Sequence, residues 1–420
     1  MKPIVLALAL AFAAPIMAEE ISYPDLPPPA QAEAAISRSI TVLTAESGIK
    51  FEQSNRRRWS SGNYEFNVRA GSAQRRIAST GQALKEWDVA IERPVRLPNK
   101  MLIDQEIGAE GVQRAEFTLG DARHEAGRLL LRLWFTWQRE QAQVAQWQQQ
   151  ELTLQRLAAM TEKRVKAGDA PKMEHNQALA AAAQAGVSRR QALMRAQLAA
   201  NEIVRQFPGL ELPENVPRST PQAIQNDFTY WKDQVFQHNH ELGMVRSDRH
   251  LQQLLAQRSR ADRIPDPTVG MRYSSEMAGN EKVTGVYVSV PLSFGLRSAQ
   301  AEGMQHQAEI ATNREAFVQR RLEGDVYATH TQAVSSFTTW QQAADAGNSI
   351  RQNAELVARA YALGESSLSD TLTARRIALE STLAEATAQL DANEARYRLL
   401  LDAHQLWPLD SDEDVTHDHY

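Results

Sequence analysis

The chain has 420 residues, no cysteine and a formal net charge of −5 at pH 7. Hydrophobic residues make up 43% and charged residues 23% of the sequence, which is an ordinary composition for a folded protein. These values exclude a disordered polar chain, a collagen-like chain and a small disulfide-bonded domain. The lack of cysteine also excludes thiolate zinc sites and iron–sulfur clusters, and the mild negative charge argues against a nucleic-acid partner.

Residues 1–18 have the composition of a secretory signal peptide. Lys2 provides a basic start, residues 4–14 are almost wholly apolar, and Ala18 is a small residue just before Glu19. The apolar run is too short for a spanning helix, and no later segment approaches the roughly 20 apolar residues that such a helix needs. We therefore expect a chain exported to the periplasm or outer membrane of a Gram-negative cell.

The spacing of proline predicts long helices in the first half of the chain, because proline interrupts helix interiors. No proline lies between Pro98 and Pro171, and apolar residues recur there at the heptad-like spacing of coiled coils. Gly168 can end a helix in the left-handed conformation, and Asp169 can cap the next one. We expect a helix over about 30–56, a hairpin over 63–93, and long antiparallel helices over 98–165 and 171–206.

A similar order recurs after a proline-rich connector over residues 207–222. We expect a helix over about 223–262, a hairpin over 267–291, and long helices over 296–362 and 367–406 separated by a turn at Gly364. Pro94 and Pro291 lie almost as far apart as Gly168 and Gly364. This agreement predicts a duplicated unit, with repeats over 19–206 and 223–407, followed by an acidic, histidine-bearing tail over 408–420.

Both predicted hairpins alternate apolar and polar residues with a period of two, which gives a sheet one apolar face and one wet face. The apolar positions are Tyr64, Phe66 and Val68, then Trp87, Val89 and Ile91, and in the second half Val269, Met271 and Tyr273, then Val286, Val288 and Val290. The charged positions between them are Glu65, Arg69, Asp88, Glu92 and Arg272.

Two hairpins leave open sheet edges, which are not tolerated in lipid. The smallest closed bacterial barrels have about 8 strands, so one chain cannot close a barrel, whereas three copies supply 12 strands. We therefore expect a mainly α protein with a small β part, in which long antiparallel coiled-coil-like helices and two hairpins per chain form a trimeric α-barrel and a 12-stranded β-barrel. The five charged strand positions would line its lumen. The alternative is a periplasmic coiled-coil scaffold whose small sheet never enters a membrane.

Three segments resemble the TolC-type outer membrane efflux protein family. They are RIPDPTVG at residues 263–270, VYVSVPLSF at residues 286–294 and AYALGESSLSD at residues 360–370. The duplicated layout of that family covers nearly the whole mature chain, and the compact length resembles its heavy-metal, CzcC-like branch. The resemblance implies a homotrimeric channel-tunnel in the outer membrane with a large periplasmic portion.

The resemblance also implies partners and site residues. The helix-turn tips, with Gly168, Asp169, Gly364 and Glu365, would dock onto a periplasmic adaptor (a membrane fusion protein), which joins an inner-membrane pump of the resistance–nodulation–division type. Asp370 and Tyr361 match residues near the pore constriction of the family. The chain would conduct passively and carry no catalytic residue or cofactor. Heavy-metal cations are the expected cargo, with drugs or other organic molecules as the alternative.

Several candidate residues also have simpler explanations. An acidic residue at Asp370 suits the first turn of a helix through the helix dipole. His417 and His419 in the acidic tail are weak candidates for metal ligands, since such tails are usually solvated. His238 and His240 are assigned to the surface, because alternate residues do not share a helix face. No nucleophile elbow, phosphate loop or dinucleotide fingerprint is present, so we expect no enzymatic activity.

Overall fold

The computed structural model describes residues 23–215, 217–292 and 295–409. The predicted signal peptide and the tail histidines His417 and His419 lie outside these residues. The described chain is mainly helical with a small antiparallel sheet, which confirms the predicted fold class at this level. Within the described ranges, no helix combines the length and the apolar character needed to cross a membrane.

The first half begins with two short helices, continues with two strands and ends with two long helices. Their bounds are α1 Pro29–Ser37, α2 Ile40–Ser61, β1 Asn67–Arg76, β2 Ala83–Pro94, α3 Pro98–Ala167 and α4 Lys172–Gln206. The second half has the same order: α5 Phe228–His238, α6 His240–Ala261, β3 Thr268–Glu276, β4 Glu281–Ser289, α7 Leu296–Leu363 and α8 Leu368–Asp402, with a short 3₁₀ turn at Met277–Gly279 between its strands.

Two of the shorter helices differ from the sequence prediction. The helix expected over 30–56 is divided at Ser39, whose Oγ accepts a hydrogen bond from the Val42 N–H at 3.4 Å and so caps α2. The helix expected over 223–262 is divided at Asn239, whose side chain accepts from the Leu242 N–H at 2.8 Å. Ser and Asn are favoured at such caps because a side-chain oxygen satisfies a free N–H of the first turn.

The long helices pair as two antiparallel hairpins. Both end in a left-handed glycine, with φ of +82° at Gly168 and +84° at Gly364. At each turn the residue after the glycine donates its N–H at 2.9 Å to a carbonyl in the last helical turn, which is the Schellman arrangement. Ion pairs such as Arg195–Glu140 (2.8 Å) hold α4 along α3. The 70 residues of α3 span about 100 Å.

The described strands form one antiparallel sheet in the order β1-β2-β3-β4, so the two hairpins of the two halves lie side by side. The register places Val68 opposite Ile91, Val89 opposite Tyr273 and Met271 opposite Val286. β1 begins at Asn67, so Tyr64, Glu65 and Phe66 precede the strand to which the sequence analysis assigned them.

The largest apolar core lies midway along the long helices. It joins α3, through Trp134 and Phe135, to Tyr397 of α8 and to residues of α4, α5 and the N-terminal segment. Fully buried Asp25 fixes that segment, because its carboxylate accepts from the Tyr397 hydroxyl at 2.7 Å and from Asn393 Nδ2 at 3.1 Å. The core therefore anchors the chain ends between the sheet and the helical tips.

Candidate functional site

One face of the sheet carries four of the five charged residues that the sequence analysis selected. Arg69, Asp88, Glu92 and Arg272 share this face according to the strand register. The Arg272 Nε lies 3.7 Å from Asp88 Oδ2, and the Tyr287 hydroxyl donates to Glu92 Oε2 at 2.6 Å. The fifth residue, Glu65, is exposed and lies just before β1. The result is a polar surface of mixed charge.

The opposite face of the sheet is apolar and exposed in the single chain. It includes Val68, Ile91, Met271 and Val286, and Val286 is 80% exposed. The rings of Trp87 and Tyr273 pack on this face with their centroids 5.7 Å apart. A contiguous exposed apolar face of this kind marks a surface that contacts a membrane or another protein.

Both outer edges of the sheet are open in the part of the chain that the structure describes. β1 and β4 are the edge strands, 10 and 9 residues long. An edge strand presents a row of backbone N–H and C=O groups that can pair with another strand. The sheet can thus be extended from either side by another strand.

A buried ion-pair network fixes the base of the sheet to the helices. Lys100, near the start of α3, is 0% exposed. Its Nζ lies 3.0 Å from Asp262 Oδ1 and 3.0 Å from Asp266 Oδ1, and it donates to the Ile264 carbonyl at 2.7 Å. These three partners lie between α6 and β3, so Lys100 joins the first half of the chain to the second.

Asp266 accepts further hydrogen bonds from residues in the first half of the chain. Its Oδ2 accepts from the Tyr64 hydroxyl at 2.9 Å and its Oδ1 from the Leu97 N–H at 3.2 Å. Burial alone would raise the pKa of Asp266, but the hydrogen bonds from Lys100, Tyr64 and Leu97 hold it below its ordinary value. Burial, together with the bond to Asp266, raises the pKa of Tyr64 to about 12. At neutral pH, Asp266 is therefore ionised and Tyr64 is protonated.

At the opposite end of the molecule, the structure places Tyr361 inside the paired helical tips. The ring is buried, its hydroxyl donates to Glu174 Oε2 at 2.8 Å, and the Arg164 guanidinium carbon lies 5.0 Å from its centroid. Burial, and then the bond to Glu174, raise the pKa of Tyr361. Tyr361 thus connects α7 to α4 within the single chain.

The other predicted tip residues are exposed. Asp370 lies in the first turn of α8, where its N–H donates to Ser367 Oγ at 3.1 Å and its carboxylate accepts from the same hydroxyl at 2.7 Å. Gly168, Asp169, Gly364 and Glu365 lie at the two turns, and all are exposed. The structure therefore separates Tyr361, which packs inside the subunit, from Asp370 on its surface.

The structure also brings together three histidines that the sequence analysis did not connect. His240, assigned there to the surface, is only partly exposed and lies beside His124 of α3 and His404 after α8. The sequence carries no spacing signal for this cluster, since its members come from three distant segments.

Neither a protein-family model nor a curated protein sequence matches the chain. Solved structures do match it. The outer membrane channel CmeC from Campylobacter jejuni superposes with a TM-score of 0.72 at 12% identity, covering 92% of this chain and 87% of that one. The outer membrane protein VceC from Vibrio cholerae gives a TM-score of 0.72 at 14% identity, with 89% and 95% covered. CusC, described by its transmembrane channel formation, gives 0.67 at 12%, with 89% and 91% covered.

The chain therefore has the fold of outer membrane channels. The likeness extends over about nine tenths of both chains. CmeC and CusC are described as channels, which is consistent with the expectation of no enzymatic activity.

Proposed function

We propose that this chain is one subunit of a homotrimeric, TolC-type channel-tunnel in the outer membrane, through which a tripartite efflux system exports its cargo. One observation carries the proposal: a sheet with an exposed apolar face, a charged opposite face and two open edges lies at one end of helices about 100 Å long. The fold likeness to outer membrane channels supports it.

The sheet supplies the membrane-spanning part of this proposal. Its open β1 and β4 edges pair with the edges of neighbouring copies, so that three copies close a barrel of 12 strands. Closure satisfies the backbone groups that would be left unpaired in lipid. The apolar face, with Val68, Ile91 and Val286, then contacts lipid, and the charged face contacts water inside the barrel.

The lumen is lined by the four charged residues of the strands and by Glu65, which lies just before β1, and it conducts passively. Glu65, Arg69, Asp88, Glu92 and Arg272 offer charges of both signs, which hold water in the pore without selecting strongly for one sign. Energy for export comes from an inner-membrane pump of the resistance–nodulation–division type. The exposed helical tips dock onto the periplasmic adaptor, which connects this channel to the pump. These tips contain Gly168, Asp169, Gly364 and Glu365.

We assign the constriction to the helical tips. Asp370 is exposed in each subunit, so three symmetric copies can bring their carboxylates towards the axis, where they attract cations. Tyr361 holds the tip in shape from within the subunit, through its bond to Glu174. We propose heavy-metal cations as the cargo, on the resemblance to the CzcC-like branch.

Envelope fractionation combined with unheated gel electrophoresis tests the assembly. We expect the chain in the outer membrane fraction, as a trimer that dissociates on heating. A soluble periplasmic monomer would overturn the proposal and favour the scaffold alternative.

A deletion strain then tests the cargo. Sensitivity of this strain to Zn²⁺, Co²⁺ or Cd²⁺ that is reversed by the wild-type gene supports metal export. Sensitivity to drugs or dyes alone contradicts the metal assignment and leaves the conduit standing.

A further inference from the structure

Three histidines from distant segments meet near the middle of the molecule. His124 lies on α3, His240 is the first residue of α6, and His404 follows the end of α8. One ring nitrogen of each lies within 4.8 Å of the other two. The ring centroids of His124 and His404 are 3.9 Å apart, and that of His240 lies 5.1 Å from His124 and 5.2 Å from His404.

The backbone is arranged to bring these rings together. His404 has φ of +58°, the left-handed conformation that few non-glycine residues adopt. This turn directs the chain back after α8. On α3, a Cβ placed on Gly120 would lie 2.5 Å from His240 Nδ1, so a glycine at 120 leaves the space that the His240 ring occupies. The break at Asn239 starts α6 at His240 itself.

The donor set points to a particular class of ion. Three imidazoles with no thiolate suit Zn²⁺, Cu²⁺, Ni²⁺ and Co²⁺, whereas Mg²⁺ and Ca²⁺ prefer oxygen ligands. Three histidines with one open position are a known zinc arrangement, with Zn–N distances of about 2.0–2.1 Å. A tetrahedral site of that size places its nitrogens roughly 3.4 Å apart. The ring nitrogens here lie up to 4.8 Å apart, so binding draws them together while the closely spaced His124 and His404 rings turn apart.

We propose that His124, His240 and His404 bind one divalent transition-metal ion of the Zn²⁺ class in each chain. His124 is 3% exposed, whereas His240 and His404 are partly exposed, so the ion lies just beneath the surface of the subunit. The three ligands connect the middle of α3, the start of α6 and the segment after α8. Next to them, Leu401 and Leu409 pack against Gly127 of α3. Binding therefore locks the C-terminal end of the described chain onto the central core.

An ion that binds the folded chain alone stabilises it by mass action. The effect is largest where the ligands come from segments that separate on unfolding, as they do here. This role is independent of the proposed conduit, since the site needs neither the adaptor nor transported cargo. It also differs from the weak tail prediction at His417 and His419, which involves other residues.

The test uses the purified full chain after chelator treatment, with Zn²⁺ as the sole added probe. His417→Ala/His419→Ala serves as the background, so that the tail contributes nothing. In this background we expect one Zn²⁺ per chain by calorimetry, a higher thermal unfolding midpoint with Zn²⁺, and no change with Mg²⁺. Co²⁺ in place of Zn²⁺ should give the visible absorption of a low-coordinate nitrogen site.

His404→Asn and His240→Gln remove one ligand each, and Asn tolerates the left-handed backbone at 404. We expect either change to weaken Zn²⁺ binding by at least about tenfold and to abolish the Zn²⁺-dependent rise in the unfolding midpoint. His306→Ala is the matched control, because this exposed histidine pairs with Glu309 at 3.1 Å, away from the cluster. Unchanged binding in both ligand variants would overturn the proposal, as would a folded background protein that binds no Zn²⁺. Neither the Zn²⁺ binding measurement nor the unfolding measurement depends on channel conductance.

Discussion

Replacing Lys100 by methionine should destabilise the joint between the sheet and the helices. Methionine keeps much of the length of the side chain but removes the ammonium group, which lies 3.0 Å from both Asp262 and Asp266. The hydrogen bond to the Ile264 carbonyl, at 2.7 Å, is lost as well. The carboxylates then remain in a site built to hold a cation, at the junction where the two halves of the chain meet.

The expected loss follows from the burial of the partners. Removing one member of a buried ion pair costs about 3–5 kcal/mol. Lys100 is 0% exposed, but the side chain of Asp262 is 38% exposed and recovers some hydration. We therefore expect the lower end of that range, about 3 kcal/mol. Lys166→Met is the control, since this lysine is 74% exposed and pairs with Glu162 on one helix face; its effect should stay within about 0.5 kcal/mol.

Urea unfolding of the detergent-solubilised protein, followed by circular dichroism, measures both variants. A double-mutant cycle with Asp266→Asn isolates the pair, and we expect a coupling of at least about 1 kcal/mol. The pKa of Asp266 is lowered in the folded protein. Its contribution to stability is therefore complete above the unfolded pKa of about 3.9, declines below that value, and is lost as the pH falls through the lower pKa of the folded state. A Lys100→Met effect equal to that of Lys166→Met, or a coupling near zero, would show that the Lys100–Asp266 pair does not stabilise the joint.

Three further predictions concern the pore, the apolar face and the core. Asp370→Ala should weaken the block of single-channel current by divalent or trivalent cations by roughly tenfold, about 1.4 kcal/mol. Asp169→Ala at the other tip is the control and should leave the block unchanged. Equal block in the two variants rejects a role of Asp370 in the pore. Val286→Lys places a charge on the lipid-facing side at a cost of about 2–4 kcal/mol and should reduce the amount of outer membrane trimer on unheated gels. The neighbouring variant Tyr287→Lys carries its charge on the charged face and should still form trimers. Equal trimer formation by both variants would contradict the assignment of faces. Asp25→Ala leaves two buried donors without their acceptor and should lower the free energy of unfolding by about 2–4 kcal/mol; a change under about 0.5 kcal/mol in urea would count against it.

The long helices could be predicted closely from local chemistry. Gly168 and Gly364 each end a helix because a residue without Cβ adopts positive φ at little cost, and both turns lie where the sequence placed them. The predicted cap at Asp169 was wrong, because α4 begins after Pro171 and no side chain caps it. The alternation of the strands likewise predicted which residues from Asn67 onwards share a face of the sheet, whereas Tyr64, Glu65 and Phe66 precede β1. The breaks at Ser39 and Asn239 were missed, although both residues are favoured caps, because the surrounding sequence remains compatible with helix.

Tertiary contacts explain what the sequence could not predict. The sequence associated Tyr361 with the constriction but could not predict its contacts: its ring packs within the tip, where Glu174 of the other half accepts a hydrogen bond from its hydroxyl. Lys100 is surrounded by carboxylates that lie far away along the chain. The histidine cluster depends on the positive φ of His404. The residue types around that position do not predict this backbone conformation.

Conductance across a planar lipid bilayer shows whether three copies of this chain enclose an open pore. Trimers of the purified chain, verified on unheated gels, should insert and give discrete, reproducible current steps without any added energy source. Verified trimers that pass no ion current across the bilayer would contradict the account that three copies of this chain enclose a continuous water-filled pore.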